Sequence, residues 1–166
     1  MDVMFERVAG LDVHKAMVVA TVRVMTGGKV ERECRTFETT TSGLEALLGW
    51  LTQVGCTHVA MEATGVYWKP VFWVLEDALD CWLLNARHMR NVPGRKTDMA
   101  DAEWICRLME NGLVRASFVP PPEIRELRDL TRFRKTRIEE RTREAQRLDK
   151  ILQDAGVRRT CCSTLT

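Results

Sequence analysis

The stretch VAGLDVHKAMVVATVRVMTGGKVERECRTFE, from Val8 to Glu38, decides the fold. It contains three segments rich in β-branched and apolar residues, at 8–13, 17–25 and 29–38, and this composition is typical of strands. The glycine pair at 27–28 separates the last two segments and favours the tight turn of a β-hairpin. The chain is therefore predicted to open with three consecutive strands, the last two joined as a hairpin.

After the hairpin, helical and strand patterns alternate. Leucines recur at helical spacing within residues 41–55, and Gly55 is a natural stop for that helix. Further along, the pattern predicts a buried strand at 57–63, a helix at 66–80, a strand at 81–85 and a helix at 97–112. This order predicts an α/β domain in which a mixed sheet lies between layers of helices.

A run of prolines, Pro120 to Pro122, separates this first domain (residues 1–119) from a long helical pattern that starts at Glu123 and ends near Ala155. Its apolar residues approximate heptads, as in a coiled coil, although Arg134 and Arg141 fall on core positions. We predict a coiled-coil helix within residues 120–156 that joins two copies into a homodimer and contacts nucleic acid. Residues 157–166 are predicted to be an unstructured tail.

Charge is nearly balanced over the 166 residues, with a formal value of +2, so overall charge does not select a partner. Its distribution is more informative. Residues 87–96 contain basic side chains and no acid, and residues 125–150 contain ten Lys or Arg against six Asp or Glu. The basic residues of the first region are Arg87, Arg90, Arg95 and Lys96. Two basic regions on a nearly neutral chain indicate a polyanionic partner.

The six cysteines form no C-x-x-C pair and no spacing typical of zinc, so we expect free thiols in a reducing compartment. No signal-peptide pattern opens the chain, and no apolar run approaches the length of a membrane span. These features predict a cytoplasmic protein without a membrane partner.

Four acids fall where α/β domains concentrate function, at strand ends and in adjoining loops. Asp12 is near the end of the first strand and Glu62 at the end of the fourth, and Asp98 and Asp101 are on the helix after the fifth. Four carboxylates in one place would repel each other unless cations bind, and oxygen ligands favour Mg²⁺ or Mn²⁺. Two such ions can serve phosphoryl transfer. For the Asp98 and Asp101 pair, the residues alone also allow simple capping of a helix that begins at Thr97.

Three motifs occur in a fixed order: GLDVHK (Gly10 to Lys15), MEATGVYW (Met61 to Trp68) and NARHMRNVPGRKTDMADAEW (Asn85 to Trp104), continued by GLVRASFVPP. They resemble those of the DEDD transposases of bacterial insertion sequences, the IS-one-ten family. The resemblance implies an N-terminal RuvC-like domain with a ribonuclease H-like fold, acting in the bacterial cytoplasm at the nucleoid. It also implies a metal-dependent DNA transposase or recombinase. In that family the residues that match Asp12, Glu62, Asp98 and Asp101 are the catalytic acids and Mg²⁺ ligands.

The resemblance also implies partners. Members act on DNA, use a structured guide RNA, and carry a second, C-terminal transposase domain with a serine implicated as nucleophile. We expect this chain to stop before that domain, and Ser163 in the tail is not a credible substitute. The residues that we expect to contact nucleic acid are Lys15, Arg87, Arg90, Arg95, Lys96, Arg134 and Arg141.

Other interpretations stay open at the level of sequence. His14 is either a base or ligand beside Asp12 or a turn or core histidine, and Lys15 is either a phosphate contact or a solvated lysine. Tyr67 and Trp68 either stack on bases or fill the core, and for Trp73 and Trp82 the core is favoured. One alternative function is a non-catalytic dimer that binds nucleic acid. Another is an actin- or hexokinase-like phosphotransferase, which would require two such domains where this chain has room for one.

Overall fold

A mixed sheet in the order β3-β2-β1-β4-β5 forms the centre of residues 1–119 in this computed structural model, which describes residues 4–85, 89 and 101–157. Strands β1 (Arg7–Val13), β2 (Met17–Thr26) and β3 (Lys29–Glu38) are antiparallel neighbours. Strands β4 (His58–Glu62) and β5 (Asp80–Leu84) run parallel to β1. The mixed sheet predicted from the sequence is confirmed.

The hairpin turn joins β2 to β3 where the sequence predicted it. Gly27 and Gly28 both have positive φ, 57° and 80°, a conformation that residues with a Cβ atom rarely adopt. Two consecutive positive φ angles give the twist that matches the flanking strands. The glycine pair thus fixes the register of the antiparallel part of the sheet, in which Thr26 lies opposite Lys29.

Helices cover both faces of the sheet. Helices α1 (Thr41–Gln53) and α2 (Trp68–Leu75) pack on one face, and helix α3 (Asp101–Glu110) packs on the other. The helix predicted over 66–80 is too long, because α2 ends at Leu75. The amide groups of Ala78 and Leu79 both bond to the Leu75 carbonyl, and this turn brings the chain directly into β5.

The alternation along β1 assigns its side chains to the two faces. Ala9, Leu11 and Val13 belong to the core shared with α1 and α2, and Val8 belongs to the core beneath α3. Because side chains alternate along a strand, Asp12 points to the same face as Val8, the face that α3 covers. The polar residue of this buried strand therefore lies on the side of α3.

The second compact unit, Pro120–Thr166, contains one long helix, α4 (Pro122–Asp154), among its described residues. Pro122 occupies the first turn, where a missing amide hydrogen costs no helical bond. No residue of α4 is buried. The predicted helix is confirmed, and the predicted tail lies outside the described residues from 158 onward. Within the part of the chain that the structure describes, no helix is long and apolar enough to cross a membrane.

Candidate metal and nucleic-acid site

Asp12 and Glu62 lie next to each other at the carboxyl ends of two adjacent parallel strands. In the β1–β4 register, Gly10 pairs with Ala60 and Leu11 with Met61, and the next residues are Asp12 and Glu62. Neighbouring strands are spaced by about 4.8 Å, and paired residues point to the same face. Two carboxylates are therefore placed side by side on the face that α3 covers, and both are partly accessible to solvent.

Gly10 determines how closely α3 approaches this pair. A Cβ atom at Gly10 would lie 2.1 Å from the Ala102 carbonyl oxygen and 2.5 Å from the Cys106 backbone nitrogen. At the other end of the contact, the Cys106 thiol donates to the Val8 carbonyl at 3.4 Å, and the Met4 amide bonds to the Glu110 carbonyl at 2.9 Å. Only glycine permits a backbone contact this close.

These contacts also fix the direction of α3. Its last residue is near the start of β1 and its first turn is near Gly10, so α3 runs antiparallel to β1. The first turn, which begins with Asp101, consequently lies toward the edge of the sheet where Asp12 and Glu62 end their strands. A helix N-terminus also carries the positive end of its dipole to that edge.

The donor set fits a hard divalent cation. Asp12, Glu62 and Asp101 supply only carboxylate oxygens, and Mg²⁺ is commonly held by one or two carboxylates while it keeps several waters. Among the described residues, no group of three or more His, Cys, Asp or Glu side chains is assembled as a metal site. Asp98, the fourth acid expected from the sequence, lies outside the described residues. The structure therefore brings Asp12 and Glu62 together and places Asp101 toward the same edge.

His14 and Lys15 follow Asp12 directly after β1 ends. The His14 Nε2 atom lies 3.2 Å from Asp12 Oδ2, and the two side chains are 55% and 28% exposed. His14 is thus neither a core residue nor remote from the acids, because it contacts the carboxylate of Asp12. Lys15 is exposed, and its carbonyl accepts a hydrogen bond from Thr39 Oγ1 at 2.6 Å.

The expected nucleic-acid contacts divide into two groups. Arg87, Arg90, Arg95 and Lys96 lie outside the described residues. Arg134 and Arg141 are exposed on α4 and form no ion pair with any residue that the structure describes. An open depression on α4 is lined by Arg137, Glu140, Arg141, Arg143, Glu144 and Arg147. Four arginines against two glutamates make this surface basic.

The aromatic residues near the site differ in exposure. Tyr67 is exposed in the segment after Glu62, while Trp68 packs against the core with its ring edge on Phe72. The core assignment of Trp73 is wrong, since Trp73 is exposed. Trp82 is partly buried and packs beside Phe5 on the face of α3. Of these residues, Tyr67 is the one whose ring is both near Glu62 in sequence and available to a ligand.

The cysteines of the first unit do not belong to the site. Burial raises the pKa of the Cys56 thiol to about 11 and that of the Cys106 thiol to about 12, so both stay protonated at neutral pH. Burial is also the main cause that raises the pKa of Cys81 to about 12. Cys34 is exposed on β3. Protonated, buried thiols are poor nucleophiles and poor metal ligands.

Two features of the site escaped sequence reasoning. The first is Gly10, whose close contact with α3 is visible only once the strand and helix are packed. The second is a pair of buried acids on α3, Glu103 and Glu110, which bind arginines of the hairpin. Their spacing of seven residues, among apolar residues of the same helix face, is the signal that could have revealed them.

The sheet order β3-β2-β1-β4-β5 and the two acids at adjacent parallel strand ends define an α/β domain with a candidate site at the carboxyl edge of its sheet. A family model described as a transposase, the DEDD transposase of IS110 elements, matches residues 9–156. The chain therefore belongs to this family. Membership supports a transposase-type enzyme that cleaves nucleic acid, and the resemblance seen in the sequence motifs is confirmed.

Solved structures similar to this chain include two of RuvC. The Thermus thermophilus RuvC structure has 13% identity and a TM-score of 0.46, covering 67% of this chain and 99% of that one. T. thermophilus RuvC in complex with Holliday junction substrate has 13% identity and a TM-score of 0.44, covering 68% and 100%. A Ppx/GppA family member from Aquifex aeolicus has 12% identity and a TM-score of 0.32, covering 50% and 36%. No curated protein matches the sequence.

Proposed function

We propose that residues 1–119 are the RuvC-like catalytic domain of a DNA transposase, and that this domain takes part in metal-dependent cleavage and exchange of DNA strands. The observation that carries the proposal is the register of β1 and β4, which sets Asp12 beside Glu62 at the carboxyl edge of the sheet. Family membership supplies the reaction class. Asp98 and Asp101 complete the proposed set of four catalytic acids.

In the proposed mechanism, Asp12 and Glu62 would hold Mg²⁺ or Mn²⁺ through carboxylate oxygens, and Asp98 and Asp101 would be the remaining ligands. The bound ion would supply charge stabilisation to the oxygens that attack and leave the phosphorus atom. The role of the chain's own residues is to bind the ion and to orient the carboxylates that hold it. The sheet edge fixes two carboxylates at one spacing, and Gly10 lets α3 bring its first turn toward them. His14 contacts Asp12 and orients its carboxylate.

Basic residues are proposed to bind the nucleic acid. Lys15 is exposed three residues after Asp12, so it lies close enough to bind a phosphate beside the acids. Arg134 and Arg141 present exposed guanidinium groups on α4, where each neutralised phosphate would strengthen binding at low salt. Arg87, Arg90, Arg95 and Lys96 join this set through the sequence alone. Besides DNA, a structured guide RNA is the proposed partner, on the strength of family membership, and the proposed location is the bacterial cytoplasm at the nucleoid.

The long helix α4 is proposed to form a coiled coil with a second copy. Its apolar side chains at heptad spacing are all accessible within this chain, and Ile124, Leu127 and Ile138 are 47%, 57% and 42% exposed. Leaving such a strip in water costs about 25 cal/mol for each Å² of apolar surface, so pairing two copies is favourable. A coiled coil can accommodate Arg134 and Arg141 at core positions if their guanidinium groups extend outward to solvent while their aliphatic parts pack on the apolar side chains.

A dimer that binds nucleic acid without catalysis is the second candidate, because the basic surface of α4 alone would serve it. The two candidates differ in their dependence on the acids. The phosphotransferase interpretation gains no support, since the family match assigns the chain to transposases.

Isothermal titration calorimetry with Mn²⁺ and fluorescence anisotropy with labelled DNA test the proposal together. Asp12→Asn and Glu62→Gln should abolish Mn²⁺ binding while DNA affinity stays equal or rises, because a negative charge is removed near the phosphates. Matched controls are Asp77→Asn and Glu45→Gln, which change exposed acids of α2's exit turn and of α1. Equal Mn²⁺ binding in the Asp12→Asn variant would refute the catalytic proposal and favour the non-catalytic dimer.

A further inference from the structure

Helix α3 carries two buried carboxylates that the proposed mechanism does not use. Glu103 and Glu110 are 5% and 4% exposed. They are seven residues apart, two helical turns, and so lie on the same side of α3. A buried carboxylate is costly unless it is paired, and both of these acids are paired with arginines. These ion pairs therefore need an explanation of their own.

The partners come from the β2–β3 hairpin. Arg32 Nη1 lies 2.7 Å from Glu103 Oε2, and Arg23 Nε lies 2.8 Å from Glu110 Oε2. Arg23 and Arg32 are directly opposite each other in the β2–β3 register, so two cross-strand neighbours diverge to reach the two ends of α3. The second oxygen of Glu103 lies 3.4 Å from Arg107 Nη2, one turn further along the same helix.

The ion pair between Arg32 and Glu103 is the one near the proposed metal ligands. Glu103 lies two residues after Asp101, within the first turn of α3, whereas Glu110 closes the helix at its other end. We infer that Arg32 and Glu103 are positioning residues, whose ion pair fixes the first turn of α3 and thereby holds Asp101 toward the edge of the sheet where Asp12 and Glu62 lie. The inference rests on the proposed function, since Asp101 needs a fixed position only if it binds the same cation.

The strict geometry of a Mg²⁺ site explains why an ion pair that fixes α3 is useful. Mg²⁺ demands ligands at about 2.1 Å in near-ideal octahedral geometry, so a small rotation of the first turn removes one ligand. Groups that orient metal ligands typically change metal affinity by about 10- to 100-fold when they are mutated. A contact on β3, remote from the acids in sequence, can therefore act on the metal through the position of α3.

The two ends of α3 provide a matched comparison. Glu103→Gln and Arg32→Gln remove one charge from the pair near Asp101, and Glu110→Gln removes an equally buried charge far from it. Arg32 is 54% exposed on an edge strand, so its replacement leaves the core intact. Arg32→Lys keeps the positive charge and serves as the conservative rescue.

Two measurements on the full chain test the inference: calorimetric titration with Mn²⁺, and hydrogen–deuterium exchange of the metal-free protein. Glu103→Gln and Arg32→Gln should weaken Mn²⁺ binding by about tenfold and speed amide exchange in the first turn of α3, with partial recovery in Arg32→Lys. Glu110→Gln should speed exchange only in the last turn and leave Mn²⁺ affinity within about twofold, since its partner group is remote from the metal ligands.

Unchanged first-turn exchange in Glu103→Gln, or equal losses of affinity in Glu103→Gln and Glu110→Gln, would overturn the positioning role. Mn²⁺ binding by the Glu103→Gln protein at wild-type strength would overturn it as well, while leaving the proposed function intact. A wild-type chain that binds no Mn²⁺ contradicts the proposed function itself, and the exchange data then show separately whether the ion pair fixes α3.

Discussion

Replacing Gly10 by alanine tests how the acids are brought together. The added Cβ atom would meet the Ala102 carbonyl oxygen at 2.1 Å, the Cys106 nitrogen at 2.5 Å and the Cys106 Cβ atom at 3.0 Å. Ordinary contacts between such atoms need about 3.5 Å, so α3 must withdraw from β1 by more than about 1 Å. The obstacle is helix backbone rather than a flexible side chain, and no rotamer change can relieve it.

Two consequences follow from that displacement. Overpacking of this kind typically costs about 1–3 kcal/mol, which should lower the melting temperature by roughly 4 °C for each kcal/mol. Changing groups that orient metal ligands typically costs about 10- to 100-fold in metal affinity, so Mn²⁺ binding should weaken by about that factor. Scanning calorimetry measures the first effect, and Mn²⁺ titration at a temperature where the variant is folded measures the second.

Gly49→Ala is the matched control. Gly49 is in the interior of α1, where an added Cβ meets nothing within 4 Å, so alanine should stabilise the helix by about 1 kcal/mol and leave Mn²⁺ affinity unchanged. A Gly10→Ala protein with wild-type melting temperature and wild-type Mn²⁺ affinity would refute the claim that α3 sits against β1 at this glycine.

Three further predictions concern charge, pH and assembly. Without divalent cations, Glu62→Gln should melt at or above the wild-type temperature, because one of two neighbouring like charges is removed; a drop of more than about 4 °C would instead indicate a structural role for the carboxylate. Cys56 and Cys106 have pKa values raised from 9.0 to about 11 and about 12, so the unfolded state loses protons first and the free energy of unfolding should fall from pH 9 upward. Urea unfolding at pH 8 and pH 10 measures this fall, which Cys106→Ala should reduce; the same fall in that variant would exclude the thiol as its cause. Light scattering should give a dimer for the wild type and for Thr136→Glu, and a monomer for Leu127→Glu with Ile138→Glu; a monomeric wild type at tens of micromolar would contradict the coiled coil.

The sheet could be predicted from sequence because its signals are local. Alternating β-branched residues and the Gly27–Gly28 pair determine the hairpin, and Asp12 and Glu62 each follow a short apolar run that ends at the functional edge. Both acids were expected at strand ends, where α/β domains concentrate function. The adjacency of β1 and β4, which sets the two acids side by side, comes from the structure.

The remaining features depend on tertiary packing. The end of α2 at Leu75 is set by the turn into β5, and propensity alone would let the helix continue. The sequence around Gly10 does not indicate that α3, some 90 residues later, lies against this glycine. Such a contact arises only when β1 and α3 are packed together. The same holds for Arg32 and Glu103, which are 71 residues apart in the chain.

Anomalous X-ray diffraction from crystals of the chain soaked in Mn²⁺ tests the proposed metal site at the level of atoms. We predict an anomalous peak at the carboxyl edge of the sheet, with oxygen atoms of both Asp12 and Glu62 at about 2.2 Å from it. The peak should disappear in Asp12→Asn crystals prepared in the same way. Ordered Asp12 and Glu62 side chains with no peak between them, at millimolar Mn²⁺, would show that these two acids do not form a metal site.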